Sequence, residues 1–252
     1  MIRFRLQFQK VGRIRFTSHR DMLRIFQRCF AASRLPICYS KGFHPHPRIS
    51  LGPPLKTGWE GLEEYMDIYL EENLSGIGER MNRTLPEGLR ILKAVPVDEG
   101  VPKLTADIRT ARYAVEVAKD EVARRCKIKM ESMSLQNGAL TESAEFRSGN
   151  GFLRALEEAM RERFGAGVER DVSGEPVLLE LTTLEDGEHV IFEYLCTMPS
   201  GKSLRPEDLL SPFMGRLEEL TIPPKVVRKA LYVERKSAYL SPIDKGVVQR
   251  SS

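Results

Sequence analysis

The chain begins with a strict alternation of apolar and polar side chains, the period-two pattern of a half-buried β-strand. The segment IRFRLQFQ (residues 2–9) puts its apolar residues on one face and its arginines and glutamines on the other. After a turn at Gly12, RIRF continues the alternation. Ser18 then has the position of a helix N-cap, with Asp21 three residues later, and apolar residues recur at helical spacing over residues 22–30.

The next 60 residues continue as strands and helices. The patterns predict strands at ICYS (37–40), at 63–72 and at 89–97, with a short helix over 75–85. The resulting order is strand, helix, strand, strand, helix, strand. This is the order of a ferredoxin-like domain, whose helices cover one face of an antiparallel sheet. We expect the other sheet face to be free for binding.

A segment rich in proline, glycine and acidic residues (95–108) is the best candidate for a linker. After it, the pattern predicts strands at ARYAVEVAK, VLLELTTL, HVIFEYLC and PKVVRKALYVER, and helices over 119–130, 151–164 and at SLRPEDLLSPFM. We therefore predict an α+β fold of tandem ferredoxin-like (βαββαβ) domains with antiparallel sheets. The predicted divisions are a domain over 1–98, a domain over 109–236 and a disordered tail over 237–252.

Composition restricts the possible classes of protein. The chain has 252 residues, 41% of them hydrophobic and 29% charged, as in ordinary globular proteins. No apolar run is long enough to span a membrane, and the start lacks the apolar block of a signal peptide. The four cysteines are too scattered for a zinc knuckle or a disulfide framework, so we expect a cytoplasmic protein. No Walker loop or dinucleotide-binding motif occurs, and we predict neither a cofactor nor a metal.

Positive charge is concentrated at the beginning of the chain. Residues 1–48 carry a net charge of +10, the rest carries −6, and three of the four histidines lie in the same 48 residues. Such segregation creates a local positive field and indicates an anionic partner. We predict RNA rather than DNA, because no helix-turn-helix or zinc-finger pattern occurs and RNA is commonly bound by sheets and loops.

The candidate RNA-binding residues combine cations for phosphates with aromatic rings for base stacking. They are Arg3, Arg5, Arg15, Arg20, Arg24, Arg28, Tyr39, Lys41, Phe43, His44, His46 and Arg48. Three of them, Arg20, Arg24 and Arg28, recur at i, i+4 and i+8 and line one face of the predicted helix.

The segment SKGFHPHPRISLGPP (40–54), here called the Pro/His loop, has several interpretations. Each histidine precedes a proline and is therefore expected in extended backbone. His44 and His46 could contact RNA, could bind a metal together with His19, or could be structural. A metal-free ribonuclease is a further alternative, with His19 or His46 as acid or base.

Two segments carry a family resemblance: GRIRFTSHRDMLRIFQRCF (12–30) and LPICYSKGFHPHPRISLGPPLKTGWEGLEEYMDIYL (35–70). They resemble the radical-SAM-linked protein family, a bacterial domain of unknown function. The resemblance implies genetic linkage or fusion to a radical SAM protein. It also implies that position 44 is more often asparagine, which makes His46 the more important histidine. The chain itself lacks the cysteine spacing of an iron–sulfur cluster.

These observations predict a non-catalytic RNA-binding accessory protein that works with a radical SAM enzyme on tRNA or rRNA. Two alternatives remain. One is a metal-independent endoribonuclease similar to CRISPR RNA endonucleases, an analogy at the level of the fold alone. The other is a protein adaptor whose basic face binds an acidic surface of the radical SAM enzyme.

Overall fold

The computed structural model describes residues 1–126, 149–164, 176–235 and 238–248. The fold is mixed α/β, with a large and mostly antiparallel sheet. Two compact units divide the chain: unit 1 comprises Met1–Ala111 with Val227–Ser252, and unit 2 comprises Arg112–Val226. Among the described residues, no helix is long and apolar enough to cross a membrane.

The elements follow one another in an order close to the predicted one. They are β1 (Ile2–Lys10), α1 (His19–Ser33), β2 (Ile49–Leu51), β3 (Glu60–Leu70), α2 (Ile77–Asn82), β4 (Leu89–Val97), α3 (Leu104–Asp107), β5 (Ile108–Ala118), α4 (Gly149–Phe164), β6 (Leu178–Asp186), β7 (His189–Thr197), α5 (Pro206–Met214), β8 (Lys225–Arg235), β9 (Ala238–Leu240) and α6 (Lys245–Val248). Residues 119–126 are also helical, and the rest of the helix predicted over 119–130 lies outside the described residues.

In unit 1, β1 pairs antiparallel with both β4 and β3, and β2 pairs antiparallel with β3. The apolar residues of β1 contribute to a core with the apolar stripe of α1, where the Phe8 and Phe26 rings meet edge to face at 5.1 Å. Ser18 caps α1 as predicted, because its Oγ accepts the Asp21 N–H at 3.1 Å.

Two local predictions in unit 1 are wrong. RIRF is not a strand: residues Gly12–Phe16 form a 3-10 turn, since Gly12 has a φ of +69° that ends β1. ICYS is not a full strand either, and its only described ladder contacts are isolated bridges, Ile37 with Leu70 and Tyr39 with Pro47.

The sheet face that we expected to be free is covered in unit 1. The Arg5 guanidinium donates to the carbonyls of Pro102 and Pro242, at 3.2 and 3.0 Å. The Asp98 N–H donates to the Val248 carbonyl at 2.9 Å, so the segments around these residues hold each other in place. The predicted linker (95–108) and the described part of the predicted tail (238–248) are therefore ordered parts of unit 1, which supply strand residues at 95–97 and 238–240 and cover the sheet between and after them.

Unit 2 contains a β-hairpin and an aromatic core contact. β6 and β7 pair antiparallel around a turn in the EDGE segment (185–188), where Gly187 has a φ of +56°. The Tyr113 and Tyr194 rings stack with centroids 5.4 Å apart. The Glu157 carboxylate on α4 accepts from the Thr183 N–H at 3.0 Å and from its hydroxyl at 2.8 Å.

The structure divides the chain at positions other than 98 and 109. One limit between the two units falls inside β5 and the other inside β8. Residues 227–235 of β8 belong to unit 1, where Val227 pairs in parallel with Glu60 of β3. The predicted tail contributes β9 and α6 to unit 1 rather than a disordered end. Tandem ferredoxin-like repeats are not confirmed by this division.

Gly88 gives a direct test of packing in unit 1. It has a φ of +86°, and a Cβ added there would lie 2.2 Å from the Val11 carbonyl oxygen. Gly88→Ala is therefore expected to lower the free energy of unfolding by about 2–3 kcal/mol in urea titrations. Gly12→Ala is the control, because Gly12 has a φ of +69° but open space around it. Equal losses in the two variants would contradict the role of the Val11 contact.

Candidate nucleic-acid interface

The tip of the Pro/His loop is closed by backbone hydrogen bonds. The Ser40 N–H donates to the His46 carbonyl at 2.8 Å, and the His46 N–H donates to the Ser40 hydroxyl at 3.0 Å. Below them, the Arg48 N–H donates to the Cys38 carbonyl, which joins the two arms of the loop. This ordered turn limits the conformational entropy that the loop would lose on binding a partner.

The loop presents aromatic and cationic groups to solvent. Phe43 is fully exposed and Tyr39 is 53% exposed. Lys41, His44 and His46 are also exposed. The rings of Phe43 and Tyr39 are therefore accessible to another molecule, such as an unpaired base.

A groove lies beside the loop. Its volume is about 430 Å³, within the range of small-molecule sites, and its walls include Tyr69, Pro96 and Asp98. The Arg48 guanidinium lies over the Tyr69 ring, with its central carbon 4.5 Å from the ring centroid. Arg48 therefore connects the loop to the groove.

The arginines of α1 form an exposed row. Arg20, Arg24 and Arg28 are all exposed and lie about 6 Å apart along the helix axis. Arg24 forms a surface ion pair with Asp21 at 3.2 Å, which is weak because both side chains are in water. The row is therefore available to an anionic ligand.

Three of the other predicted phosphate ligands are engaged within the protein. Arg5 is completely buried, and its Nε and Nη2 donate to the two oxygens of Asp67 at 2.8 and 3.0 Å. Arg3 donates to the Val101 carbonyl at 2.7 Å, and Arg15 pairs with Glu60 at 3.2 Å. The prediction that these arginines hold phosphates is wrong for Arg5, and Arg3 and Arg15 already have internal partners.

No described contact joins His19 to the histidines of the loop. His19 lies near Glu64, in the first half of β3, and shares a cavity with Leu51 and Pro53 at the far end of the Pro/His loop. The tip that carries His44 and His46 is joined to the sheet next to Leu70, where Ile37 pairs with Leu70. Within the described ranges, no group of three or more potential metal ligands occurs.

A buried cluster of charges surrounds His19. Lys10 is 2% exposed, and its Nζ donates to the Thr17 carbonyl at 2.9 Å. Arg228 is 1% exposed and forms two hydrogen bonds to Glu64, one of them from Nε to Oε1 at 2.8 Å. Burial, together with Arg228, lowers the pKa of Lys10, although Glu64 acts in the opposite direction.

Sequence analysis missed this cluster, although a signal existed. In β1, Lys10 occupies the next position in the alternating series of buried residues that includes Leu6 and Phe8. In β3, Glu64 occupies the position before Met66 and Ile68 in the corresponding series. A charged residue at a position that the alternation assigns to the core is a candidate for a buried functional group. Burial, followed by the positive charges of Lys10 and Arg228, also lowers the pKa of His19.

Comparison with known proteins identifies a family. The sequence matches the model of the family described as "Uncharacterized protein conserved in bacteria (DUF2344)" over residues 3–206. No curated protein matches the sequence. Among solved structures, the chain is similar to one described as "Crystal Structure of an Unknown Protein from Galdieria sulphuraria", with 11% identity, a TM-score of 0.24, and coverage of 79% of this chain and 82% of the other.

Proposed function

The chain belongs to DUF2344, a bacterial family of uncharacterized proteins, and we propose that it binds RNA as a non-catalytic accessory protein. The match covers the residues of α1 and of the Pro/His loop. The comparisons agree with the bacterial domain of unknown function that the sequence resembles, and they contain no link to radical SAM proteins.

The observation that carries the proposal is the combination of exposed cations with exposed aromatic rings in unit 1. We call this set the RNA surface: Arg20, Arg24, Arg28, Tyr39, Lys41, Phe43, His44, His46 and Arg48. Its five lysines and arginines suit a phosphate backbone, and its rings suit unpaired bases. Arg20 and Arg28 are about 12 Å apart along the axis of α1, and the C-terminal end of this helix leads into the Pro/His loop.

Single-stranded or looped RNA fits this surface better than duplex DNA. Stacking on Phe43 or Tyr39 requires bases that are not stacked on one another, as in RNA loops. The groove beside Arg48 is large enough for one base, and the Asp98 and Glu99 carboxylates at its wall could accept hydrogen bonds from base amino groups. We propose tRNA or rRNA as the source of such loops.

The proposed partner is a radical SAM enzyme, to which this protein would present RNA. This part of the proposal depends on the family resemblance of residues 12–70. A cytoplasmic location is part of the same proposal, and the four free cysteines fit it. A nuclease is less favoured than an accessory protein because no described contact joins His46 to His19 as an acid–base pair.

The finer fold assignment is also a proposal. We infer that the two units are ferredoxin-like repeats. In unit 1 the strand order β4-β1-β3-β2 supports this inference, and in unit 2 the order β5-β7-β6 supports it.

Phe43→Ala tests the role of the loop. Because stacking of one base contributes about 1–3 kcal/mol, the variant is expected to bind a fluorescent tRNA about 5- to 150-fold more weakly in anisotropy titrations. Its unfolding should be unchanged, since Phe43 is fully exposed. Phe16→Ala is the matched control, as Phe16 is 62% exposed outside the RNA surface.

Three results would contradict the proposal: absence of tRNA and rRNA binding at 50 mM salt, equal effects of the two substitutions, or cleavage of RNA in EDTA that is lost in His46→Ala. The last result would instead establish the ribonuclease. A radical SAM partner that remains bound after ribonuclease treatment, with no affinity for RNA, would establish the adaptor.

A further inference from the structure

The cleft beside His19 has an unusual balance of buried charge. Lys10, Glu64 and Arg228 lie on three different strands, β1, β3 and β8, and all three are less than 6% exposed. The Glu64 carboxylate is held by Arg228, whose guanidinium also donates to the carbonyls of Pro53 and Pro54. With a neutral His19, the cluster therefore carries one excess positive charge.

Lys10 is the source of this excess. Its described hydrogen bond goes to a neutral carbonyl, that of Thr17, and Glu64 is already paired with Arg228. A buried ammonium group without its own counter-ion is unfavourable, since few dipoles replace the water that it has lost. An anion that entered the cleft would offset this cost.

The shape of the cleft limits the size of the group that can enter. Its cavity of about 30 Å³ has room for one water-sized group, and the walls include Phe8, Met22 and Leu55. His19, which is half-buried, lies at the cleft in the first turn of α1.

We propose that this cleft binds a phosphate-type oxyanion. One oxygen enters the cavity toward Lys10 Nζ, and the other oxygens remain outside, near His19 and the first turn of α1. The ligand is free phosphate or the terminal phosphate of an RNA. Its central group, Lys10, is buried and is not part of the RNA surface, although Arg20 of that surface follows His19 in α1.

Calorimetric titration of the full chain with inorganic phosphate at constant ionic strength tests the proposal. Wild type is expected to bind one phosphate, and Lys10→Met is expected to bind it at least tenfold more weakly. His19→Gln, at the mouth, should weaken binding by a smaller factor. Lys93→Met is the matched control, because Lys93 is exposed on β4, and it should bind like wild type. Thermal melts identify any variant that fails to fold, in which case His19→Gln carries the test.

The source of the phosphate is determined with one oligoribonucleotide prepared with a 5′-phosphate, a 3′-phosphate or neither. A preference of at least fivefold for one phosphorylated form, lost in Lys10→Met, assigns the site to an RNA end. Phosphate binding without such a preference assigns it to free phosphate. Absence of phosphate binding, or equal binding by wild type and Lys10→Met, would overturn the proposal. Phosphate binding without RNA binding would overturn the RNA proposal alone.

Discussion

Replacement of Arg5 by methionine is expected to lower the free energy of unfolding by about 3–5 kcal/mol. The substitution leaves the Asp67 carboxylate, which is 1% exposed, without its bidentate partner. It also removes the donors to the Pro102 and Pro242 carbonyls, which attach two distant segments to the sheet. A buried charge that loses its partner costs more than the pair contributes when intact.

Urea unfolding measures this loss. The double variant Arg5→Met with Asp67→Leu should be more stable than Arg5→Met alone, because no buried carboxylate is left without its bidentate partner. Arg90→Met is the matched control, since Arg90 is exposed on β4, and its effect should stay within about 0.5 kcal/mol. An unchanged unfolding free energy for Arg5→Met, together with weaker RNA binding, would restore Arg5 as a phosphate ligand.

The second large effect is expected from the arginine row of α1. Replacement of Arg20, Arg24 and Arg28 by glutamine removes three proposed phosphate contacts while keeping helix-forming side chains. Each contact steepens the salt dependence of log K by about 0.7–0.9, so three of them contribute on the order of 10³-fold in affinity at 50 mM salt. The variant should therefore bind tRNA about 10³-fold more weakly in anisotropy titrations.

A charge-matched control separates specific contacts from a general loss of positive charge. Glutamine at positions 83, 90 and 93 removes three exposed cations from the end of α2 and from β4. We expect less than a tenfold loss of affinity for this triple variant, because these residues lie outside the RNA surface. Equal losses in the two triple variants would mean that only the net charge matters.

Local patterns predicted much of the fold of unit 1. The alternation in β1 and the Ser18 cap of α1 depend on residues that are close in sequence, and both are present in the structure. The exposure of the tip of the Pro/His loop, residues 40–46, was also predictable, because its proline and glycine disfavour regular structure there.

The burial of Arg5 was not predictable from the pattern. Alternation assigns Arg5 to the polar face of β1, and it does not reveal what covers that face. The covering carbonyls belong to residues 97 and 237 positions away in the sequence. The same coverage explains why residues 238–248 are ordered where we expected a disordered tail.

For the candidate site, the exposure of single residues was predictable from local sequence, but the contacts between distant segments were not. Residues on one amphipathic helix or one loop, such as Arg24 and Phe43, keep the exposure that their local pattern indicates. Whether two such segments meet depends on strand register. The antiparallel pairing of β2 with β3 brings the end of the Pro/His loop, at Leu51, back along β3 to the cavity that His19 lines. Lys10 and Glu64 gave a local sign of the second site, as charges in the apolar phases of β1 and β3.

The salt dependence of tRNA binding tests the central claim most directly. Five phosphate contacts, from Arg20, Arg24, Arg28, Lys41 and Arg48, predict a slope of log K against log salt of about −3.5 to −4.5 for wild type. The slope should fall to about −1.4 to −1.8 when the three arginines of α1 are replaced by glutamine. A flat response in wild type, or the same slope in both proteins, would contradict the account.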